Sequence, residues 1–198
     1  MSKVIAFTNV TLDGVMQAPG RPEEDRRGGF EHGGWAVPYA AMQYAGGRLG
    51  GSGALLFGRR TYADFYDFWP RQQDNPFTAM LENMPKYVAS TTMREPLPWK
   101  NSTLLRGDAS DAVARLKGEL SDDVIIIFGS GVLIQSLMKR NIIDEYLLLV
   151  HPLVLGTGRR LFTDCGAFAK LRLIDTSATP TGVVIATYHP AEPTEPPT

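Results

Sequence analysis

The sequence predicts an α/β domain: a mostly parallel central sheet with an antiparallel C-terminal edge, in three α/β/α layers. Three observations carry this. Val124–Phe128 is a short apolar run, mostly β-branched, which reads as a strand buried on both faces. It passes through Gly129-Ser130-Gly131 into Val132–Arg140, where Leu133/Leu137 and Ile134/Met138 sit four apart, the spacing of a helix with one apolar side. Elsewhere short apolar runs alternate with helical patterns, and the last two runs read as an antiparallel pair.

Taken in order, Lys3–Asn9 holds Val4, Ile5, Ala6 and Phe7 together and reads as a buried first strand. Thr11-Leu12-Asp13-Gly14 follows, and Asp-Gly is a strong turn signal. Val15–Trp35 is rich in glycine and charge and has no periodicity. Loops this long in compact domains are usually functional or mobile, so a lid that excludes water is expected. Phe30 and Trp35 flank Glu31-His32 and have rings able to dock on a core or a flat ligand. Ala36–Ala45 reads as the first helix, with Pro38 near its start. Gly46–Gly53 is a turn-rich break.

Ala54–Phe57 is the second strand, followed by Gly58-Arg59-Arg60-Thr61-Tyr62 and a helix through Phe65. Tyr66–Met84, with Pro70 and Pro76, reads as irregular. Lys86–Ala89 is a third strand ending in Ser90-Thr91-Thr92, and Asn101–Leu105 is another. Asp108–Leu120 is a helix with Val113, Leu116 and Leu120 as its apolar stripe. Beyond the central unit come a strand, Glu145–Val150, and the loop His151–Gly158. Arg159-Arg160 reads as solvated surface. Lys170–Ser177 and Thr181–His189 alternate as paired strands around a Thr179-Pro180 turn. Residues 1–189 are expected to form one domain, and 190–198 a proline-rich disordered tail.

Composition excludes several classes. Hydrophobic residues make up 43% and charged residues 21%, a globular balance. Lys+Arg 20 against Asp+Glu 21 gives no reason to expect nucleic acid or an anionic membrane as partner. Cys165 is the single cysteine, so no internal disulfide is expected, and no Cys/His spacing suggests a metal site. The N-terminus lacks a signal-peptide pattern and no apolar stretch approaches a membrane span. A cytoplasmic protein is expected.

The chemistry lies in three turns that each follow a strand. Ligands of open α/β sheets bind outside the carboxyl ends of the strands. A glycine turn lets the backbone approach closely, and the first N–H groups of the next helix, Gly129 to Leu133, favour a phosphate. Arg59 offers a guanidinium fork after Gly58, and Thr61 a hydroxyl. Ser90 and Thr91 place hydroxyls at the third turn, where they suit a ribose or phosphate or cap the turn itself. Three such turns on one edge fit a dinucleotide better than a mononucleotide. Ile134 stands where a Rossmann fingerprint has its third glycine, which argues against that fold.

The pattern Gly129-Ser130-Gly131, Leu133, Leu137, Asp144-Glu145, Pro152, Leu155-Gly156-x-Gly158 and Leu161-Phe162 resembles the C-terminal reductase domain of the bifunctional riboflavin-biosynthesis protein. That domain has the dihydrofolate reductase fold, and the resemblance extends over nearly the whole chain. Gly58-Arg59-x-Thr61-aromatic matches the family's second cofactor element. Thr11–Gly14 matches its Ser-Leu-Asp-Gly element, with Thr11 in place of serine, which lies beside the nicotinamide. The resemblance therefore implies a cofactor set of Thr8, Gly14, Gly58, Arg59, Thr61, Ser90, Thr91, Gly129, Ser130, Gly131, Val132 and Leu133. It makes Asp13 the leading group for substrate positioning or proton relay, with Glu31 and His32 behind it, and desolvation is expected to raise the pKa of Asp13.

The activity it implies is hydride transfer from a nicotinamide dinucleotide to a small heterocycle, nearest to 5-amino-6-(5-phosphoribosylamino)uracil reductase, in a homodimer. The first strand opens the sequence, so a stand-alone reductase without a deaminase domain is expected. NADPH is expected over NADH, because the two turns facing the adenosine ribose hold Arg59, Arg60 and hydroxyls but no carboxylate. Two other classes stay open: a dihydrofolate or pterin reductase, weakened by the lack of Asp or Glu in Ala36–Ala45, and a non-catalytic nucleotide-binding module.

Overall fold

The computed structural model describes residues 2–45, 53–72, 75–120, 123–163 and 168–191. Cys165, most of the Gly46–Gly53 break and the tail from 192 onward lie outside the described residues. Its strands are β1 (Lys3–Thr11), β2 (Gly53–Gly58), β3 (Lys86–Ala89), β4 (Ser102–Leu105), β5 (Val124–Phe128), β6 (Glu145–His151), β7 (Leu171–Ala178) and β8 (Val184–Pro190). They form one sheet in the order β4-β3-β2-β5-β1-β6-β8-β7. Every pairing from β4 to β6 is parallel, and β8 runs antiparallel to both β6 and β7.

Burial follows that order. β1, β5 and β6 are apolar on both faces because helices cover both. On one face α4 (Ala109–Glu119) and α5 (Gly131–Lys139) bury Val113, Leu116, Leu133 and Leu137 against Val4, Ala6, Ile125 and Ile127. On the other, α1 (Met42–Ala45), α2 (Arg59–Phe68) and α3 (Pro76–Asn83) bury Ala45, Tyr62 and Leu81 against Ile5, Phe7, Ile126 and Leu147. β7, on the sheet edge, is exposed along almost its whole length. Asp144 and Glu145 hold the opposite end of the sheet from the turns. Asp144 accepts from the Val4 N–H at 2.7 Å and from Lys117 Nζ at 2.7 Å, and Glu145 pairs with Lys3 at 2.6 Å.

Three elements differ from the expectation. Residues 36–45 are not one helix. A 3-10 turn at Val37–Tyr39 ends where Ala40 turns left-handed at φ 47°, and only Met42–Ala45 is α-helical. The segment expected to be irregular carries α2 on to Phe68 and then holds α3. Pro76 sits at the start of α3, where a missing N–H costs nothing, and the Asn75 side chain caps it by accepting from the Phe77 N–H at 2.9 Å. Finally, β8 extends to Pro190, and the Ala191 N–H donates to the Lys170 carbonyl at 2.8 Å. No helix among the described residues is long and apolar enough to cross a membrane.

Candidate active site

β3, β2, β5 and β1 are neighbours and parallel, so their C-terminal turns open on one edge. Gly129 and Ser130 both take left-handed backbone, at φ 54° and 53°. This throws the chain from β5 directly into α5. No side chain caps α5. Its first helical bond runs from the Ile134 N–H to the Ser130 carbonyl at 3.0 Å, so the N–H groups of Gly131, Val132 and Leu133 have no helical partner. The Ser130 hydroxyl reaches sideways and accepts from the Gly58 N–H at 3.0 Å, tying the turn after β5 to the turn after β2. α2 likewise starts without a side-chain cap. Arg59 and Arg60 stand exposed at its start, with no ion pair among the described residues.

These turns line one cleft of about 2220 Å³, together with Thr8 and Asn9 from the end of β1 and residues of the 15–35 loop. A site for one small molecule usually spans roughly 300–1,000 Å³, so this cleft has room for a dinucleotide and a second ligand. On the α2–α3 face the cleft has aromatic walls. Trp69 lies 4.7 Å from Phe77 between ring centroids, Phe77 lies 5.7 Å from Phe128, and Phe65 lies 6.1 Å from Phe128. An aromatic lining of this kind favours a ligand with an apolar or aromatic surface.

The 15–35 loop is a folded unit, with Val15, Ala18, Phe30 and Trp35 as a small core of its own. Gln17 is its hub. The side chain is buried, donates to the carbonyls of Asp25 and Arg27 at 3.1 and 2.9 Å, and accepts from the Arg159 N–H at 2.9 Å. Met16 packs on the Gly131 turn so closely that a Cβ there would run into its sulfur. On the far side of the cleft Arg21 pairs with Asp64 of α2 and lies 4.1 Å from the Phe68 ring centroid.

The family model described as the RibD C-terminal domain matches residues 2–185. The chain belongs to that family. YyaP, an uncharacterised protein of Bacillus subtilis, is 26% identical over 94% of each chain. Among solved structures, a candidate riboflavin biosynthesis protein from Shewanella sp. PV-4 superposes with a TM-score of 0.68 at 23% identity, covering 96% of this chain and 99% of its own. Acinetobacter baumannii RibD gives a TM-score of 0.66 at 19% identity, over 97% of this chain and 59% of RibD. Enterococcus faecalis dihydrofolate reductase, complexed with NADP(H), gives 0.62 at 14% identity over 96% and 97%. At these identities the likenesses speak for the fold, which is that of dihydrofolate reductase.

Of the residues this RibD C-terminal domain was expected to use, Thr8, Gly58, Arg59, Thr61, Ser90, Thr91 and Gly129 to Leu133 line the cleft together. Ser90 also caps its own turn, its hydroxyl accepting from the Thr92 and Met93 N–H groups at 3.1 Å each. Asp13, Gly14, Glu31 and His32 do not line it. The pKa shift expected for Asp13 needs correction. Its carboxylate accepts from the Thr11 hydroxyl at 2.6 Å and from the Leu155 and Gly156 N–H groups at 3.2 and 2.9 Å, so it braces the 151–158 loop. The Thr11 hydrogen bond leads in holding its pKa below the usual carboxylate value rather than above it. Arg160, expected to be solvated surface, donates from Nε to the Asp13 carbonyl at 2.8 Å. Glu31 and His32 are exposed.

The sequence reading missed two cleft carboxylates whose pKa is raised, and beside them Asp25, which is paired with Arg27. Glu24 and Asp64 line the cleft, and burial raises the pKa of each. Neither stands in a motif. Only the fold of the loop onto α2 brings them together.

Proposed function

We propose that the chain is an NADPH-dependent reductase that transfers hydride to a small planar heterocycle, with 5-amino-6-(5-phosphoribosylamino)uracil reductase as the nearest activity. The observation that carries this reading is the pair of uncapped helix starts, α2 and α5, opening into one cleft beside an aromatic compartment. Gly131, Val132 and Leu133 would hold the pyrophosphate on their N–H groups. Arg59, with Arg60 beside it, would take the ribose phosphate that distinguishes NADPH. The one carboxylate of a neighbouring strand end, Asp108 after β4, is turned to the Ser110 and Asp111 N–H groups at 2.9 and 3.1 Å. NADPH supplies the hydride when bound.

The chain's own residues orient the acceptor between aromatic walls and exclude water through the loop docked on α2. With Asp13 committed to its brace, Glu24 is the carboxyl group we favour for delivering a proton, since burial leads in raising its pKa, whereas Asp64 is held in the ion pair with Arg21. Two chains would pair through the exposed β7 edge, where Leu173 and Ile174 face solvent. A light-scattering mass of one chain at micromolar concentration would remove the dimer from this reading. The test of the function is a screen of the purified protein against flavin precursors, pterins and quinones, following absorbance of the reduced cofactor. NADPH oxidation with a uracil- or pterin-type compound is expected; no oxidation despite cofactor binding would leave a binding module.

A further inference from the structure

We infer that Asn9 is the group that orients the heterocycle, and that His151 positions it for this task. The inference rests on the reductase reading and adds a residue and a ligand chemistry to it. On β1, Ile5, Phe7 and Asn9 point to the α1–α3 face, because successive residues of a strand alternate and Ile5 and Phe7 lie in that layer's core. The end of β6 places Leu147, Leu149 and His151 on the same face. Ile5, Phe7, Leu147 and Leu149 make the middle of this face apolar. At its C-terminal edge, where the aromatic compartment begins, it ends in two polar side chains in contact. His151 Nε2 lies 2.9 Å from Asn9 Oδ1.

His151 is fully buried. Trp35 and Tyr39 stand edge-on to its ring, each 5.1 Å away between centroids. Both come from the segment that closes the 15–35 loop, and both are fixed in turn. Trp35 donates from Nε1 to the Gln17 carbonyl at 2.7 Å, and the Tyr39 carbonyl accepts from the Thr181 hydroxyl at 2.8 Å. The imidazole is therefore locked in place, and burial pushes its pKa down to about 4, so it is neutral at ordinary pH.

A neutral imidazole carries one proton, and Nδ1 is buried without a partner. Placing the proton on Nε2 leaves an unpaired lone pair at Nδ1. Placing it on Nδ1 would bury an unpaired N–H, the costlier choice. Nε2–H therefore donates to Asn9 Oδ1, and this fixes the amide. The imidazole proton takes one lone pair of Oδ1 and fixes which way the amide faces, and Asn9, which lines the cleft, keeps its two N–H donors to offer a ligand. A ligand that takes these donors supplies an acceptor, which in a planar heterocycle is a ring carbonyl or a ring nitrogen lone pair. The aromatic side of the cleft assigns that ligand to the substrate rather than to the cofactor phosphates, which belong on the α5 side.

The test uses calorimetric titration of NADPH, and then of 5,6-diaminouracil into the NADP+-saturated protein. Wild type is compared with Asn9→Asp, which keeps the shape but replaces the donors with a carboxylate, and with His151→Phe, which keeps the ring packing but frees the amide. Asn9→Asp is expected to weaken the uracil by about tenfold or more, the loss of one desolvated hydrogen bond with a repulsion added. His151→Phe is expected to weaken it less, and both variants should bind NADPH as wild type does. Equal uracil affinity in all three proteins, or no uracil binding to NADP+-saturated wild type, would overturn the inference. So would a parallel loss of NADPH affinity, which would put Asn9 on the cofactor. Failure of wild type to bind NADPH at all would instead sink the reductase reading, and this inference with it.

Discussion

α4 and α5 lie on the same face of the sheet and both follow a parallel strand, yet they begin in opposite ways. α4 starts behind Asp108, whose carboxylate accepts from two of the helix's own N–H groups. α5 starts behind Ser130 in left-handed backbone, with no cap of its own. A capped start is worth about 1 kcal/mol to a helix. α5 forgoes that contribution at the place where the sheet's central strands converge on the cleft. A helix end whose donors are satisfied internally serves the fold, and one left open serves a ligand. The same division runs through the carboxyl and amide groups nearby. Asp13 has its hydrogen bonds met within the protein, whereas the Asn9 amide has donors left over.

The largest effect is expected from making α5 resemble α4. Ser130→Asp puts a carboxylate at the open helix start, where it competes for the N–H groups and repels the pyrophosphate. NADPH affinity should fall by about 100-fold or more, the loss of two charge-assisted hydrogen bonds. Thermal stability should change little, since Asp tolerates left-handed backbone. Unchanged NADPH affinity would break the comparison at its root.

Asp13→Asn tests the satisfied class. The brace to Leu155 and Gly156 weakens, and stability at neutral pH should drop by about 1–3 kcal/mol in denaturant titration, with NADPH affinity unchanged. The sign with pH follows from the lowered pKa. The folded state holds the carboxylate charged, so the wild-type advantage is full above the ordinary value of 3.8 and disappears as pH falls through the lower folded value. A variant whose turnover collapses while its stability holds would return Asp13 to the chemistry.

Asp108→Ala gives the smallest effect. It should cost about 1 kcal/mol of stability through the lost cap. Cofactor affinity should not move, because the Asp108 carboxylate is occupied with its own helix.

Legibility in the sequence divides along similar lines. The central strands were readable because each is buried on both faces and so leaves a continuous apolar run. The three turns that line the cleft were readable because each follows such a run. α3 was hidden because Pro70 and Pro76 were read as breakers, although Asn75-Pro76 is a helix start signal once proline is allowed in the first turn. The helix expected over 36–45 failed at Ala40, whose left-handed turn no residue type announces. Asn9 and His151 were invisible because lone polar residues gain meaning only when two strands pair in register. Glu24 and Asp64 needed the fold of an aperiodic loop whose small core, Val15, Ala18, Phe30 and Trp35, has no period to read.

The central claim is that the cleft is built for NADPH, and Arg59 tests it most directly. Calorimetric titration of NADPH and NADH into wild type and Arg59→Ala separates the ribose phosphate from everything the two cofactors share. A charge-assisted hydrogen bond from arginine to phosphate is worth about 1.5–3 kcal/mol, so wild type should prefer NADPH by roughly 10- to 150-fold. Arg59→Ala should lose most of that preference while binding NADH almost as wild type does. Equal losses for the two cofactors, or no preference in wild type, would contradict the account.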